Sequence, residues 1–332
     1  GPAGSPDFFK NVLGSDTVVC GDGEEAILKV CEGKKGIIQG APCTKDEAPI
    51  GVYEEFPLDI YRLIRWPTSK RTDFCFPILS SRGCKWHCSF CFRMREGFWE
   101  RSIEAIIEEI KWLHHHVGIN HFQFADELLM SSERRTERIC EAILALDFKI
   151  KWDCSGRLNF ATLPLLTLMK KSGTQYVNYG IESLNQTILN QMGKWLTTSQ
   201  IYTGVEATLQ AGLSPGLNLL WGFPNNNGQD LKEEVEFLKT YNPAHEIRTI
   251  RPPTPYPNCQ LYKNAVEVGL VKNSEDFYEN KYKNSDLISI NFTDIPTDEA
   301  NRMLFEANKE LVMDFYKKKE GVIINQAEKL YL

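Results

Sequence analysis

The sequence predicts an α/β fold on a parallel sheet, either open and doubly wound or curled into a partial barrel. From residue 74 onward, six apolar runs of strand length alternate with helical patterns. Strand–helix–strand repeats of that kind require right-handed crossovers between parallel strands. With 42% hydrophobic residues in 332, the chain can also fill the core that such a fold needs.

Taken in order, Gly1-Pro2-Ala3-Gly4-Ser5 reads as the scar of a cleaved tag, so the natural protein is expected to extend upstream. Residues 6–70 hold an apolar run, Thr17-Val18-Val19-Cys20, then Gly21-Asp22-Gly23-Glu24-Glu25, a helical stretch and an irregular segment to Trp66-Pro67. They read as the end of one domain plus a linker. The strands expected within 71–270 are Phe74–Ser80, Asn120–Ala125, Ile150–Cys154, Gln175–Ile181, Gly216–Trp221 and Glu246–Arg251. Between the first two, Ile103, Ile106, Ile107, Ile110 and Leu113 recur at helical spacing, opposite Glu104, Glu108, Glu109 and Lys111. That is an amphipathic helix lying on a sheet. The proline-rich Arg251–Pro257 ends the alternation, and residues 271–332 form an extension whose last helix runs from Thr297 to about Lys319. Lys317-Lys318-Lys319 is read as its solvated end, complementing the helix dipole.

A net charge of −6 with interspersed signs offers no basic face for a phosphate backbone, so nucleic acid is not the default partner. No apolar run approaches the length of a membrane span, and no export signal opens the chain. A cytoplasmic protein is the simplest expectation. Ten scattered cysteines are too sparse for a disulfide scaffold and fit a reducing compartment. Outside one loop, Cys20, Cys31, Cys43, Cys75, Cys140, Cys154 and Cys259 are expected to pack as small hydrophobes.

That loop, Gly83-Cys84-Lys85-Trp86-His87-Cys88-Ser89-Phe90-Cys91, begins just past the first strand, at the sheet end where α/β enzymes gather function. Chance places the CxxxCxxC spacing in only about 1% of chains with this many cysteines. Three readings compete. A structural zinc site requires a fourth ligand, usually from a later Cys or His pair, and none follows. A redox Cys88/Cys91 pair leaves Cys84 unexplained. An iron–sulfur cluster on three cysteines leaves one iron open to an outside ligand. His114-His115-His116 is no competitor, because consecutive helical residues point about 100° apart; a helix end at Gly118 is expected there.

CxxxCxxC with aromatic Phe90 before the last cysteine, after a first strand and ahead of repeated β/α units, resembles the radical S-adenosylmethionine (SAM) superfamily. The resemblance covers roughly residues 74–270 and implies a partial (β/α)6 TIM-like barrel. It implies a [4Fe–4S] cluster on Cys84, Cys88 and Cys91, whose unique iron is chelated by SAM. One electron would split SAM into methionine and a 5′-deoxyadenosyl radical that abstracts a substrate hydrogen, with an electron donor such as flavodoxin or ferredoxin. Phe90, Asp126, Glu127, Arg157, Glu182 and Ser183 are the implied cofactor contacts: Asp126 or Glu127 toward the SAM amino group, Arg157 toward its carboxylate, and Glu182-Ser183 within a GIES-like stretch. Each has an ordinary alternative as a helix cap or a solvated arginine. Met192-Gly193-Lys194, the Gly222-Phe223-Pro224 turn and Thr254–Asn258 also fit.

Gly21–Glu25, the linker and the proline-rich tail resemble the branch with an N-terminal cobalamin (B12)-binding domain, of which only a last strand and helix are expected here. Cobalamin is therefore expected only if a complete upstream domain exists. The implied outcome is radical methylation; cyclisation, dehydration or a redox step without cobalamin stands as the alternative, and a non-catalytic iron–sulfur or zinc module as a further one. The substrate is expected to be a small molecule meeting inward residues such as Asn178, Tyr179, Asn218, Trp221, Arg248 and Arg251. The two arginines favour an anion.

Overall fold

The computed structural model describes residues 4–44, 46, 50–64, 66, 68–93, 97–242 and 246–331, with side chains through 328. Gly1–Ala3 of the expected tag scar and Pro67 of the linker lie outside the described residues. In the N-terminal segment, β1 (Thr17–Cys20) and β2 (Gly36–Gln39) pair in parallel around the helix Glu24–Cys31. This is a complete β–α–β unit, one strand more than expected. The short run Gly36-Ile37-Ile38-Gln39 was too brief to stand out from its glycine- and lysine-rich surroundings, and it forms because Thr17–Cys20 offers an unpaired edge.

The main sheet has five parallel strands in sequential order: β3 (Cys75–Ile78), β6 (His121–Phe124), β7 (Lys151–Gly156), β8 (Thr174–Glu182) and β9 (Ser214–Leu219). Between β3 and β6 lies a separate antiparallel pair, β4 (Ser81–Gly83) with β5 (Phe98–Glu100), which the sequence did not announce. Phe122, Trp152, Val177, Tyr179 and Leu217 point outward from the sheet and are at most 1% exposed. Helices Ile103–Trp112, Glu133–Leu144, Leu163–Lys171, Thr198–Gln210 and Gly228–Tyr241 cover them. Local sequence fixes the helix starts. Ser102 and Ser132 cap theirs, while Thr197/Gln200 and Asn227/Asp230 form reciprocal capping boxes. The helix after β6 thus starts at Glu133.

The expected sixth strand, Glu246–Arg251, does not form. Only Arg251 bridges to Leu220, with Arg251 donating to Leu219 and accepting from Trp221. The Asn308 side chain covers the outer edge of this segment, away from β9: its Oδ1 accepts from the Ile250 N–H at 2.8 Å and its Nδ2 donates to the Ile250 carbonyl at 2.9 Å. Asn308 belongs to the helix Thr297–Tyr331, which packs against Gly228–Tyr241 and runs past the predicted end. Lys317–Lys319 therefore sits within that helix, where Lys318 pairs with Asp314 at 2.7 Å. The histidine triplet closes the preceding helix as expected: Gly118 adopts φ 83°, and His114 stacks on Phe148 at 3.9 Å. Among the lone cysteines, Cys31 departs from expectation by lying exposed.

Candidate functional site

The cysteine loop is closed at its base by β4 and β5, with Gly83 opposite Phe98 and Arg82 opposite Trp99. It is pinned midway by Ser89, whose N–H donates to the Met192 carbonyl at 2.8 Å and whose carbonyl accepts from the Leu261 N–H at 2.8 Å. Phe90 packs edge-on against Phe223 of the Gly222-Phe223-Pro224 turn, centroids 5.7 Å apart, beside Ile188 and Met192. The loop is thereby tied to the ends of β8 and β9, as an apolar wedge between polar anchors.

Cys84 and Cys88 are half-buried and Cys91 is open to solvent. Among the described residues, no three His, Cys, Asp or Glu side chains form a metal-holding arrangement, so the thiols share a neighbourhood without converging on one point. Their electrostatics are nevertheless coupled. Crowding by protein, then Cys88, Glu127, Cys84 and Glu182, pushes the Cys91 pKa up to about 11. A thiol whose proton is held by crowding and negative neighbours, as that of Cys91 is, releases it when a cationic centre arrives. With three soft sulfurs on one tethered loop, the donor set fits an iron–sulfur cluster.

Arg157, after β7, is buried with its guanidinium 3.9 Å over the Trp86 ring. It donates to the carbonyls of Lys194 and Trp195 and, through Nε, to Asn159 Oδ1 at 3.1 Å. Burial lowers its pKa, against the opposing pull of Cys88 and Cys84. It is thus neither a solvated arginine nor a lone anion receptor; it braces the cysteine loop against residues 194–195. Glu182 ends β8 in the left-handed region, φ 71°, at a register shift against β9. Its carboxylate accepts from Lys194 Nζ at 2.8 Å, both side chains being about nine-tenths buried. Gly180 leaves room underneath for this pair in its present position, since a β-carbon there would overlap Glu182 Oε1 and come within 2.9 Å of Lys194 Nζ.

Asp126 and Glu127 separate sharply. Asp126 is 3% exposed and turned inward: it accepts from the Ser80 N–H at 3.1 Å, the Ser80 hydroxyl at 2.8 Å and the Ser81 hydroxyl. Burial raises its pKa despite those donors. It locks the link between β3 and β4. Glu127 is exposed and lies on the side that Cys91 senses. Ser183 is buried, its hydroxyl accepting from the Asn185 N–H at 3.1 Å. Asn185, not Ser183, caps the following helix. Beneath Ser183 and Leu184 lies fully buried Glu234, whose pKa burial drives well above the carboxylate range. Of the inward residues expected to meet substrate, Tyr179 and Trp221 are wholly core, with their polar tips on Thr208 and the Asn227 carbonyl.

Sequence reasoning gave Lys194 no specific role. Lys194 stood beside the GIES-like stretch as part of Met192-Gly193-Lys194, but only folding shows that it pairs with Glu182.

A cavity of about 1000 Å³ opens beside this network. One wall is the loop residues His87, Cys88 and Cys91; the opposite wall is Gly21, Asp22 and Gly40, at the carboxyl ends of β1 and β2. Arg82 of β4 joins the walls, pairing with Glu24 and lying 3.8 Å from Asp22.

Among curated relatives, an uncharacterized methyltransferase of Pyrococcus horikoshii is 29% identical over 229 residues, 68% of this chain and 48% of its own. The bacteriochlorophyllide d C-12(1)-methyltransferase of Chlorobaculum tepidum is 25% identical over 210 residues, 60% of this chain and 46% of its own. The chain thus spans about half the length of these relatives. In fold it resembles the cobalamin-dependent SAM radical enzyme OxsB with aqua-cobalamin bound, with a TM-score of 0.56 and 18% identity over 81% of this chain and 42% of that one. It also resembles the radical SAM methyltransferase TsrM from Kitasatospora setae, with a TM-score of 0.55 and 16% identity over 73% of this chain and 52% of that one. Residues 78–238, which begin at the end of β3 and contain the cysteine loop, Arg157, Glu182 and Lys194, match the family model of the radical SAM superfamily. With the parallel sheet and the CxxxCxxC loop at its carboxyl end, that match identifies residues 78–238 as a radical SAM domain.

Proposed function

We propose that this chain is the radical-generating part of a longer enzyme and that its reaction is cobalamin-linked radical methylation. The observation that carries the reading is the cavity whose walls are the cysteine loop and the carboxyl ends of β1 and β2. Parallel α/β units bind ligands at that end of their strands, so the N-terminal unit turns its binding edge toward the three cysteines. The methyltransferase names of the relatives and the cobalamin in the OxsB structure agree with this assignment.

Cys84, Cys88 and Cys91 would hold a [4Fe–4S] cluster, and Glu127, Arg157, Glu182, Ser183 and Phe90 line the region where SAM would lie. When bound, cluster and SAM supply one-electron cleavage that yields a 5′-deoxyadenosyl radical. The chain's own residues bind and orient. The Trp86–Arg157–Lys194 contacts hold the loop, Lys194 fixes the Glu182 carboxylate as an acceptor, and Phe90 with Phe223 excludes water from one flank. Asp126 serves as a brace beneath the loop, its acceptor capacity already taken by Ser80 and Ser81.

Anaerobic reconstitution with iron and sulfide tests the reading. The expected outcome is iron and sulfide in the ratio of a [4Fe–4S] cluster, an electron paramagnetic resonance signal altered by SAM, and deoxyadenosine on reduction, all lost in Cys84→Ala, Cys88→Ala and Cys91→Ala. Bound zinc with no SAM cleavage would overturn it. Deoxyadenosine without cobalamin binding, measured on the chain together with its upstream sequence, would retain the radical chemistry and remove methylation.

A further inference from the structure

The concave face of the main sheet is polar. Central strands of a parallel sheet are ordinarily apolar on both faces, and closed (β/α) barrels fill their interior with branched aliphatic side chains. Here the outward residues obey that rule and the inward ones break it. Gln123 on β6 is exposed, and Ser155 on β7, Asn178 on β8 and Asn218 on β9 are half-buried. The register sets Ser155 beside Asn178, Asn178 beside Gly216, and Asn218 beside Gly180. These positions form adjacent rungs below the strand ends that carry Arg157 and Glu182.

The rungs are organised. Asn178 Oδ1 accepts from Asn218 Nδ2 at 2.8 Å and lies 2.9 Å from the Tyr176 hydroxyl, whose one proton it shares with Glu246. Tyr176 is held in turn by Glu246 at 3.0 Å and by Arg248 at 2.7 Å. Gly216 makes room, since a β-carbon there would overlap the Tyr176 hydroxyl and Asn178 Oδ1. With its oxygen engaged by Asn218, the Asn178 amide turns its NH2 donors outward, and Asn218 turns its carbonyl outward. Neither of those groups, nor the Gln123 amide or the Ser155 hydroxyl, has a protein partner among the described residues. The face therefore offers neutral donors and acceptors of set orientation. Among the described residues it offers no free cation either: Arg248 is paired with Glu246, and Arg251 lies 3.3 Å from Asp286 on the outside. The sequence-based expectation of an anionic substrate loses its basis here.

We infer that Gln123, Ser155, Asn178 and Asn218 form a substrate subsite for an uncharged ligand rich in hydroxyl or amide groups. The inference rests on the proposed function in taking this face as the substrate side of the site. An apolar ligand would strand four polar side chains without partners, and a charged one would find no counter-ion.

Saturation-transfer-difference NMR on the unloaded protein tests it, with an equimolar mixture of N-acetylglucosamine, glucose 6-phosphate and cyclohexanol. The expected result is enhancement on N-acetylglucosamine, with binding weakened about tenfold in Asn178→Leu, the scale of one lost hydrogen bond. Gln123→Leu, at an exposed position, gives the same direction of change if Asn178→Leu fails to fold. Larger enhancement on glucose 6-phosphate or cyclohexanol, no enhancement on N-acetylglucosamine, or equal signals in wild type and a folded variant would each overturn the subsite. The protein carries no cluster in this measurement, so its failure is distinct from failure of the radical reading, which iron content and deoxyadenosine decide.

Discussion

Lys194 Nζ lies 2.8 Å from Glu182 Oε1, and the glutamate that accepts it holds a left-handed backbone at φ 71°. A buried ion pair is costly to break from one side, because the remaining charge stays desolvated. A glutamate in the left-handed region persists only when its surroundings over-determine it. Lys194→Ala is expected to lower stability by about 3 kcal/mol, read by urea denaturation, and to weaken SAM binding measured by calorimetry. Lys194→Arg should recover part of both, and unchanged SAM affinity in Lys194→Ala would remove Glu182 from the SAM contacts.

At the other end of the strands, wholly buried His121 is hydrogen-bonded to Asp153 at 2.9 Å. Burial alone would depress its pKa, but the hydrogen bonds and charges of Asp153 and Cys75 outweigh it and bring the value to about 9, against 6.5 for a free histidine. A raised histidine pKa adds stability that is complete below about 6.5 and lost as pH rises through about 9. Thermal melts should therefore fall across that window, by up to about 3 kcal/mol, and His121→Gln should flatten the slope.

Asp126 accepts from two serine hydroxyls and one backbone N–H at the β3–β4 link. Asp126→Ala leaves those donors unmet, and a loss of about 2 to 3 kcal/mol is expected. Iron incorporation should drop with it, since the link carries the cysteine loop. If Asp126→Ala instead keeps full stability but loses SAM binding, the carboxylate faces the cofactor after all.

Asn308 caps the outer edge of residues 246–251 by meeting both backbone groups of Ile250. Asn308→Leu should cost about 2 kcal/mol and speed amide exchange at residues 246–251, followed by hydrogen-exchange mass spectrometry. Asn308→Asp keeps the acceptor and loses the donor, so it should fall between.

Much of this was legible in order and spacing. Five of the six expected main-sheet strands form because each carries a buried outward set, such as Phe122 with Phe124 or Val177 with Tyr179, between capped helices. The sixth meets the sheet at the Leu220–Arg251 bridge alone: Glu246–Arg251 has strand composition, yet Arg248 turns to Glu246 and to the Tyr176 hydroxyl, contacts no local pattern could tell. The site shows the same division. The three cysteines declared themselves by spacing, whereas the turning of Asp126 away from Glu127, the pairing of Lys194 with Glu182, and the neutralisation of Arg248 by Glu246 are contacts between distant segments. β4 and β5 were invisible because three-residue strands carry too few side chains to show a period.

The little ribbon of β4 and β5 forms no ladder with the main sheet among the described residues; side chains hold it there instead, Ser81 on Asp126 and Glu100 with Ser131 and Arg135. The thiols can gather around an incoming inorganic centre while the scaffold beneath stays still, so loading the protein should leave its far-ultraviolet circular dichroism almost unchanged.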